Sequence, residues 1–308
     1  MDPISRVLEK LDWMQAQRIW PNGLRYLWTD AFGVVLLVSL YRKLGDEQYL
    51  ERAEWLVAEV KSVLGRPRGI RIGEEPDRYG QYYHYLAMWL YALHVLGSEK
   101  PSYRDQAVAL VKDIHSAFVV PDTGVIWKMR EDLSEPDPDF GGLGALDSFH
   151  GYIVYRLLDP EALAIEIEEM QLLVEASYRN LTITQDLGLG MMLWFTHFAP
   201  DEPWANLQRE RALITLETMW RDPPGYFLRE PFLSDTKYAF TNYGVAVGLQ
   251  AIDVWQDRVQ LLNNFFETYH SGDVYDTEAI THVMACASYF PAGFIQPGVL
   301  QEKSIQLD

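Results

Sequence analysis

A single cysteine, Cys286, stands among 308 residues, inside the apolar run VMACASYF. One thiol cannot close an internal disulfide, which is consistent with a reduced, intracellular protein. In that setting it reads as a buried structural thiol rather than a nucleophile. Positive charge is scarce too: 26 Lys and Arg face 44 Asp and Glu, a net charge of −18. Such a surface repels phosphate backbones and anionic membranes, so nucleic acid and lipid are excluded as partners, and a neutral or cationic small molecule fits better. Long hydrophobic runs are missing. The longest, AFGVVLLVSLY from Ala31 to Tyr41, is too short for a bilayer and predicts a buried helix. The first residues, MDPISRVLEKLDW, have neither the basic start nor the apolar core of a signal peptide, and a cytoplasmic location is expected. Catalytic signatures are absent as well. Without H-E-x-x-H, a Cys/His cluster or a calcium loop, neither a metal nor another cofactor is expected. Without G-x-S-x-G, G-x-G-x-x-G or a kinase set, serine hydrolase, dehydrogenase and kinase chemistry drop out.

What the chain has is helix and aromatic rings. Ten Trp and 18 Tyr suit packing between large helices, or a groove that stacks on sugars. Apolar residues recur at helical spacing in twelve segments, near 2–17, 27–44, 47–64, 82–97, 101–117, 145–157, 161–180, 185–198, 202–220, 238–253, 256–270 and 276–290. Those starting near 27, 82, 145, 185, 238 and 276 are almost free of charge, and a helix apolar all round is buried on all sides. The others, such as DEQYLERAEWLVAEVKSVL, carry one wet face. Short links such as GD at 45–46 lead from each inner helix to the next outer one, and longer loops near 65–81, 118–144 and 221–237 lead back. The spacing is a degenerate repeat of about fifty residues, the mark of stacked or ring-closed helix pairs. An open solenoid needs polar end caps, and the last inner segment, ITHVMACASYF, is not polar enough to be one. The predicted fold class is therefore all-α, an (α/α)6 toroid of six inner and six outer helices forming one domain over 1–308.

This alternation resembles the six-hairpin, (α/α)6 toroid superfamily, which includes glycoside hydrolases, unsaturated glucuronyl hydrolases and, more loosely, N-acylglucosamine 2-epimerases. The resemblance spans nearly the whole chain in layout and little of it in motif. It implies a mouth where the long loops and the inner-helix N-termini meet, and general acids and bases among the acids there. Carried over residue by residue, that role falls on Asp147 and Asp30. Unsaturated-uronyl hydrolases imply an aspartate near the second inner-helix start, where this chain has Gln81 and His84.

The candidates follow from position. LRYLWTDAFG puts Asp30 in the first turn of the first inner helix beside Tyr26 and Trp28, as a cap or a site acid. RYGQYYHYLAMW supplies Tyr79, Gln81, Tyr82 and His84, either polyol ligands or a core ladder. GGLGALDSFHGY puts Asp147 and His150 three apart after glycines that allow close approach. A helix N-terminus is expected to favour the ionised form of Asp147. Asp186, Asn242 and Tyr243 open the fourth and fifth inner helices. Asp276, Glu278 and His282 open the sixth, with Glu278 and His282 one turn apart. In the rim loop TGVIWKMRED, a predicted hairpin, Trp127, Lys128 and Arg130 are placed to close over a ligand. Arg68, Arg71 and Arg78 would suit a carboxylated sugar. The leading function is an enzyme on a sugar, hydrolysing a glycosidic or unsaturated-uronyl bond with paired carboxylates. The alternatives are an epimerase or isomerase using His84, His150 and His282 as bases, or a non-catalytic helical scaffold. Facing carboxylates favour the first, and facing histidines without them favour the second.

Overall fold

The computed structural model describes residues 2–221, 226–228, 238–270, 272 and 274–295. Its fold class is all-α, with inner and outer helices alternating along the chain. The described chain divides into two compact units, one of Leu24–Leu181 and one of Met1–Gly23 with Thr182–Gly298.

In the Leu24–Leu181 unit the inner helices are α2 (Leu27–Leu44), α4 (Tyr83–Gly97) and α6 (Asp147–Leu158). The outer ones are α3 (Glu47–Leu64), α5 (Ser102–Phe118) and α7 (Ala164–Ser177). Every residue of α2 from Leu27 to Leu40 is buried, Asp30 included, as a helix with almost no charge requires. Helix α3 buries one stripe, Tyr49, Leu50, Ala53, Leu56, Val57, Val60 and Leu64, at the spacing of a single face. The two-residue link between them works because each residue ends something. Gly45 adopts φ +69° and donates to the Tyr41 carbonyl, closing α2, a conformation that favours glycine. Asp46 then accepts from the Gln48 N–H and caps α3.

The other unit holds outer helix α1 (Pro3–Ala16), inner α8 (Asp186–Phe198), outer α9 (Pro203–Arg221), inner α10 (Ala239–Ala251), outer α11 (Gln256–Thr268) and inner α12 (Ala279–Tyr289). Helices α8 and α10 cross on glycine. A Cβ on Gly190 would lie 2.5 Å from the Gly244 carbonyl oxygen, and one on Gly248 would lie 2.2 Å from that of Gly190. Gly190 of LGLGMM and Gly244 and Gly248 of NYGVAVGL are therefore contact points between inner helices. Cys286 is fully buried in α12, and burial pushes its thiol up to about 12, so it is inert at neutral pH. Among the described residues, no helix is long and apolar enough to cross a membrane.

Four two-residue strands complete the Leu24–Leu181 unit: β1 (Gln81–Tyr82), β2 (Val119–Val120), β3 (Gly124–Val125) and β4 (Lys128–Met129). The predicted rim hairpin lies a few residues earlier, as β2 with β3. The WKM stretch instead pairs with β1, Tyr82 opposite Lys128 and Gln81 opposite Met129. The first residues expected in the second inner helix are thus extended, and α4 starts at Tyr83.

Candidate functional site

The loops of the Leu24–Leu181 unit gather over the N-termini of α2, α4 and α6. Leu27 donates to the Ile72 carbonyl at 2.9 Å, and Tyr26 bridges Gly73, so the loop after α3 lies on the start of α2. Glu131, from the loop after α5, receives Arg66 at 2.8 Å and Arg71 at 2.9 Å. Gln81 ties the same two loops. Its side-chain oxygen accepts from Ile70 N–H, and its amide donates to the carbonyls of Arg68 and Glu131 at 2.9 and 2.7 Å. All of these bonds go to main chain, and the residue is fully buried. Gln81→Leu would strand an N–H and two carbonyls, each costing about 1–3 kcal/mol when buried and unmet. We expect a loss of about 3 kcal/mol in urea unfolding.

Under these loops lies an aromatic cluster around His84. Of the fifteen residues of α4, only His84 and Tyr85, in its first turn, are not buried. Trp127 and Tyr82 stack at 4.8 Å and 16°, and Tyr82 and His84 at 5.4 Å and 23°, so the three rings lie nearly parallel. Trp28, from the first turn of α2, meets His84 edge-on at 5.9 Å and Tyr85 at 5.3 Å. The Trp28 indole N–H is buried and has no hydrogen-bond partner among the described residues. A buried donor without a partner is uncommon.

Asp147 is the first residue of α6 and only 3% exposed. Its Oδ1 lies 4.0 Å from His84 Nδ1, too far for a direct hydrogen bond. Its Oδ2 is buried and meets no donor among the described residues. Gly144 passes so close that a Cβ there would fall 1.9 Å from Oδ2, the close approach expected of that glycine-rich loop. The expectation that the helix terminus would keep Asp147 ionised is overturned. Burial without donors raises its pKa to about 8, more than the N-terminal field offsets. Burial works in the opposite direction on the histidines, lowering both His84 and His150 to about 3, with His84 adding to the effect on His150. At neutral pH a protonated carboxyl therefore stands 4.0 Å from the uncharged imidazole of His84, with the uncharged His150 one turn further along α6.

Asp30 is placed otherwise. Its carboxylate, 1% exposed, takes Arg25 Nη1 at 3.2 Å and the Tyr26 N–H at 3.3 Å. The rim cations are also engaged: Arg68 with Asp113, Arg71 with Glu131, Arg78 with Glu75, Arg130 with Glu135. None of them presents an uncompensated charge for a sugar carboxylate. Lys128 is buried and does not close over a ligand from outside. It pairs with buried Asp137 at 3.3 Å, and its ammonium lies 3.7 Å from the Tyr79 ring centre, 5.0 Å from Phe140 and 5.4 Å from Tyr82. Burial acts to raise the Asp137 pKa, but the Asp139 N–H and the Lys128 ammonium outweigh it and hold it below the ordinary range. This caged ion pair fixes Tyr82, and through it the stack on His84.

The remaining candidates lie in the other unit. Asp186 is a structural hub: Oδ2 accepts from Tyr226 at 2.8 Å, Thr241 at 2.5 Å and Asn242 at 2.9 Å, and Oδ1 from Leu187 N–H at 2.8 Å. Tyr243 is buried, its hydroxyl 3.5 Å from that of Tyr289. Glu278 stands at the N-cap of α12. His282 Nε2 bonds the Asp276 carbonyl at 2.9 Å, so its close partner is main chain. Arg25, Tyr85 and Asp137 support the site and have no signal in the sequence pattern. An arginine five residues before an acid, outside the helix, has no periodic signal, and Tyr85 was hidden in a run of aromatics.

No protein-family model matches the chain, and no curated protein is similar to it in sequence. Solved structures do match. A D-mannose isomerase is 11% identical, with TM-score 0.60 over 88% of each chain. The cellobiose 2-epimerase of Spirochaeta thermophila is 14% identical, with TM-score 0.59 over 88% of this chain and 86% of that one. An inactive variant of an alpha-1,6-mannanase of Salegentibacter, in complex with alpha-1,6-mannotriose, is 12% identical, with TM-score 0.59 over 94% of this chain and 99% of that one. The chain thus has the (α/α)6 toroid, six-hairpin glycosidase-like fold.

Proposed function

We propose that the chain is a sugar epimerase or isomerase that moves a proton at the carbon beside a sugar carbonyl, with His84, Asp147 and His150 as working groups. The supporting observation is the protonated Asp147 beside uncharged His84. In this reading His84 takes the proton from carbon and Asp147 gives its own to the carbonyl oxygen, leaving an enediol. Both partners start neutral and end as imidazolium and carboxylate about 4 Å apart, where their attraction offsets the cost of creating them in a buried setting. The proton held by His84 then returns through His150 to the second face or the second carbon, and Asp147 takes back a hydroxyl proton as the carbonyl re-forms, so all three groups end uncharged. Trp28 and Trp127 offer the sugar flat apolar walls, and the Trp28 N–H offers a hydroxyl its donor. An epimerase and an isomerase among the structures of this fold agree with the reading.

Hydrolysis with paired carboxylates, the leading expectation from sequence, is less well supported. Asp147 would serve as its acid, but Asp30, the intended partner, is held by Arg25. The two readings separate in D2O. Incubated with mannose, glucose and cellobiose, the protein is expected to exchange the C2 proton for deuterium in parallel with formation of the epimer or ketose, followed by proton NMR. Cleavage of cellobiose or a mannoside without exchange would overturn the proposal in favour of a hydrolase. Neither reaction would leave a binding scaffold.

A further inference from the structure

A cavity of about 310 Å³ lies in the other unit between outer helices α1 and α11 and the N-termini of α10 and α12. That volume is at the small end of ligand sites. Its walls are Trp13, Tyr243, Phe266 and Tyr275, with His282 and Lys10. Trp13 meets the His282 ring edge-on at 4.6 Å. Because His282 Nε2 lies 2.9 Å from the Asp276 carbonyl, it carries the ring proton, and Nδ1 is a bare acceptor. Burial lowers the His282 pKa to about 4, so the ring is uncharged at neutral pH.

Lys10 is the cation of this cavity. It is part-buried, its ammonium lies 5.8 Å from the Trp13 ring centre, and no carboxylate among the described residues pairs with it within 4.0 Å. The two acids on the wall are engaged. Glu267 pairs with Arg6, and Asp276 accepts from the Gly272 N–H at 2.7 Å. Burial holds the Lys10 ammonium below the ordinary lysine range, the cost of a charge lacking a close partner. The Thr281 hydroxyl, also on the wall, is buried and meets no hydrogen-bond partner among the described residues. In a chain of net charge −18, an unpaired ammonium and an orphaned hydroxyl at one aromatic cavity together lack an anion.

We propose that this cavity binds a small monocarboxylate with a flat apolar body, its carboxylate meeting the Lys10 ammonium and the Thr281 hydroxyl and its body lying against Trp13. The inference does not depend on the activity of the groups around His84. The test uses phenylacetate on the full chain, with 2-phenylethanol as the neutral probe of the same shape. Reductive methylation of Lys10, read by peptide mass spectrometry, is expected to slow at least fivefold with saturating phenylacetate and not with the alcohol. Lys10→Met is expected to weaken phenylacetate binding at least tenfold by ligand-observed NMR, with its circular dichroism unchanged. Equal protection by the two probes would overturn the proposal, because the amine would then play no part. So would an unprotected Lys10 in the wild-type protein, a result that does not require the variant to fold.

Discussion

Asp147→Asn is expected to lower turnover of the exchanging sugar by about 10²–10⁴-fold, the usual contribution of a positioned general acid, while leaving the protein folded. The amide has nearly the shape of a protonated carboxyl and can donate a hydrogen bond, but it cannot give up a proton. A pH dependence separates this from a packing effect. The native Asp147 pKa, about 8, lies above its ordinary 3.8. Between those values the folded state binds more protons than the unfolded state, so stability falls as pH rises. His84 and His150, lowered from 6.5 to about 3, have the opposite sign and gain stability as pH rises to 6.5. From pH 6.5 to 8 only the Asp147 contribution of these three still slopes. Over that window the wild type should lose stability relative to Asp147→Asn, measured by urea midpoints at each pH. The kcat/KM of the wild type should fall above pH 8 as the acid ionises. Turnover that survives in the variant would place the chemistry elsewhere.

The helices were legible because burial leaves a chemical record along a chain. Segments 27–44 and 47–64 are α2 and α3 to the residue, since one carries a single charge, Asp30, before Arg42 and the other changes character every three or four positions. The glycines before Asp147 were legible for a similar reason: a backbone that must pass within van der Waals reach of a carboxyl tolerates little else, as Gly144 illustrates. The partner of each acid was not legible. Spacing within one helix offered His150 to Asp147, whereas the measured approach is to His84, on a different helix 63 positions earlier. The direction of the Asp147 pKa was hidden likewise, because it depends on how few donors reach the buried oxygen. Local sequence reports the helix end and is silent on the desolvation that outweighs it. The rim cations misled for a related reason. Arg68 and Arg71 look isolated in sequence, and their acids, Asp113 and Glu131, lie 45 and 60 residues further on.

Arg25→Met is expected to be the most destabilising single change among those considered, by about 3–5 kcal/mol in urea unfolding. Arg25 and Asp30 are 4% and 1% exposed, with Nη1 and Oδ1 3.2 Å apart. Removing the guanidinium leaves a carboxylate in the first turn of α2 with the Tyr26 N–H as a remaining donor at 3.3 Å, and water cannot reach it without opening the start of the helix. The damage extends beyond the pair. The Arg25 main chain exchanges hydrogen bonds with Glu74, its N–H to the carboxylate at 3.0 Å and its carbonyl from the Glu74 N–H at 2.9 Å. The loop after α3 is thus anchored where Asp30 is neutralised. Asp30→Asn, which keeps the shape and removes the charge, should cost less than Arg25→Met, because a guanidinium on a long stem can reach water more easily than a carboxylate on a short one. The double variant Arg25→Met, Asp30→Leu should recover most of the loss, since an apolar pair of similar volume is often as stable as the buried ion pair it replaces. A cost below about 1 kcal/mol for Arg25→Met would mean that Asp30 does not need its arginine. That outcome would return Asp30 to contention as a second working carboxyl and revive the hydrolytic reading. A cost in the expected range, recovered in the double variant, identifies Asp30 as part of the frame that holds Trp28 against His84.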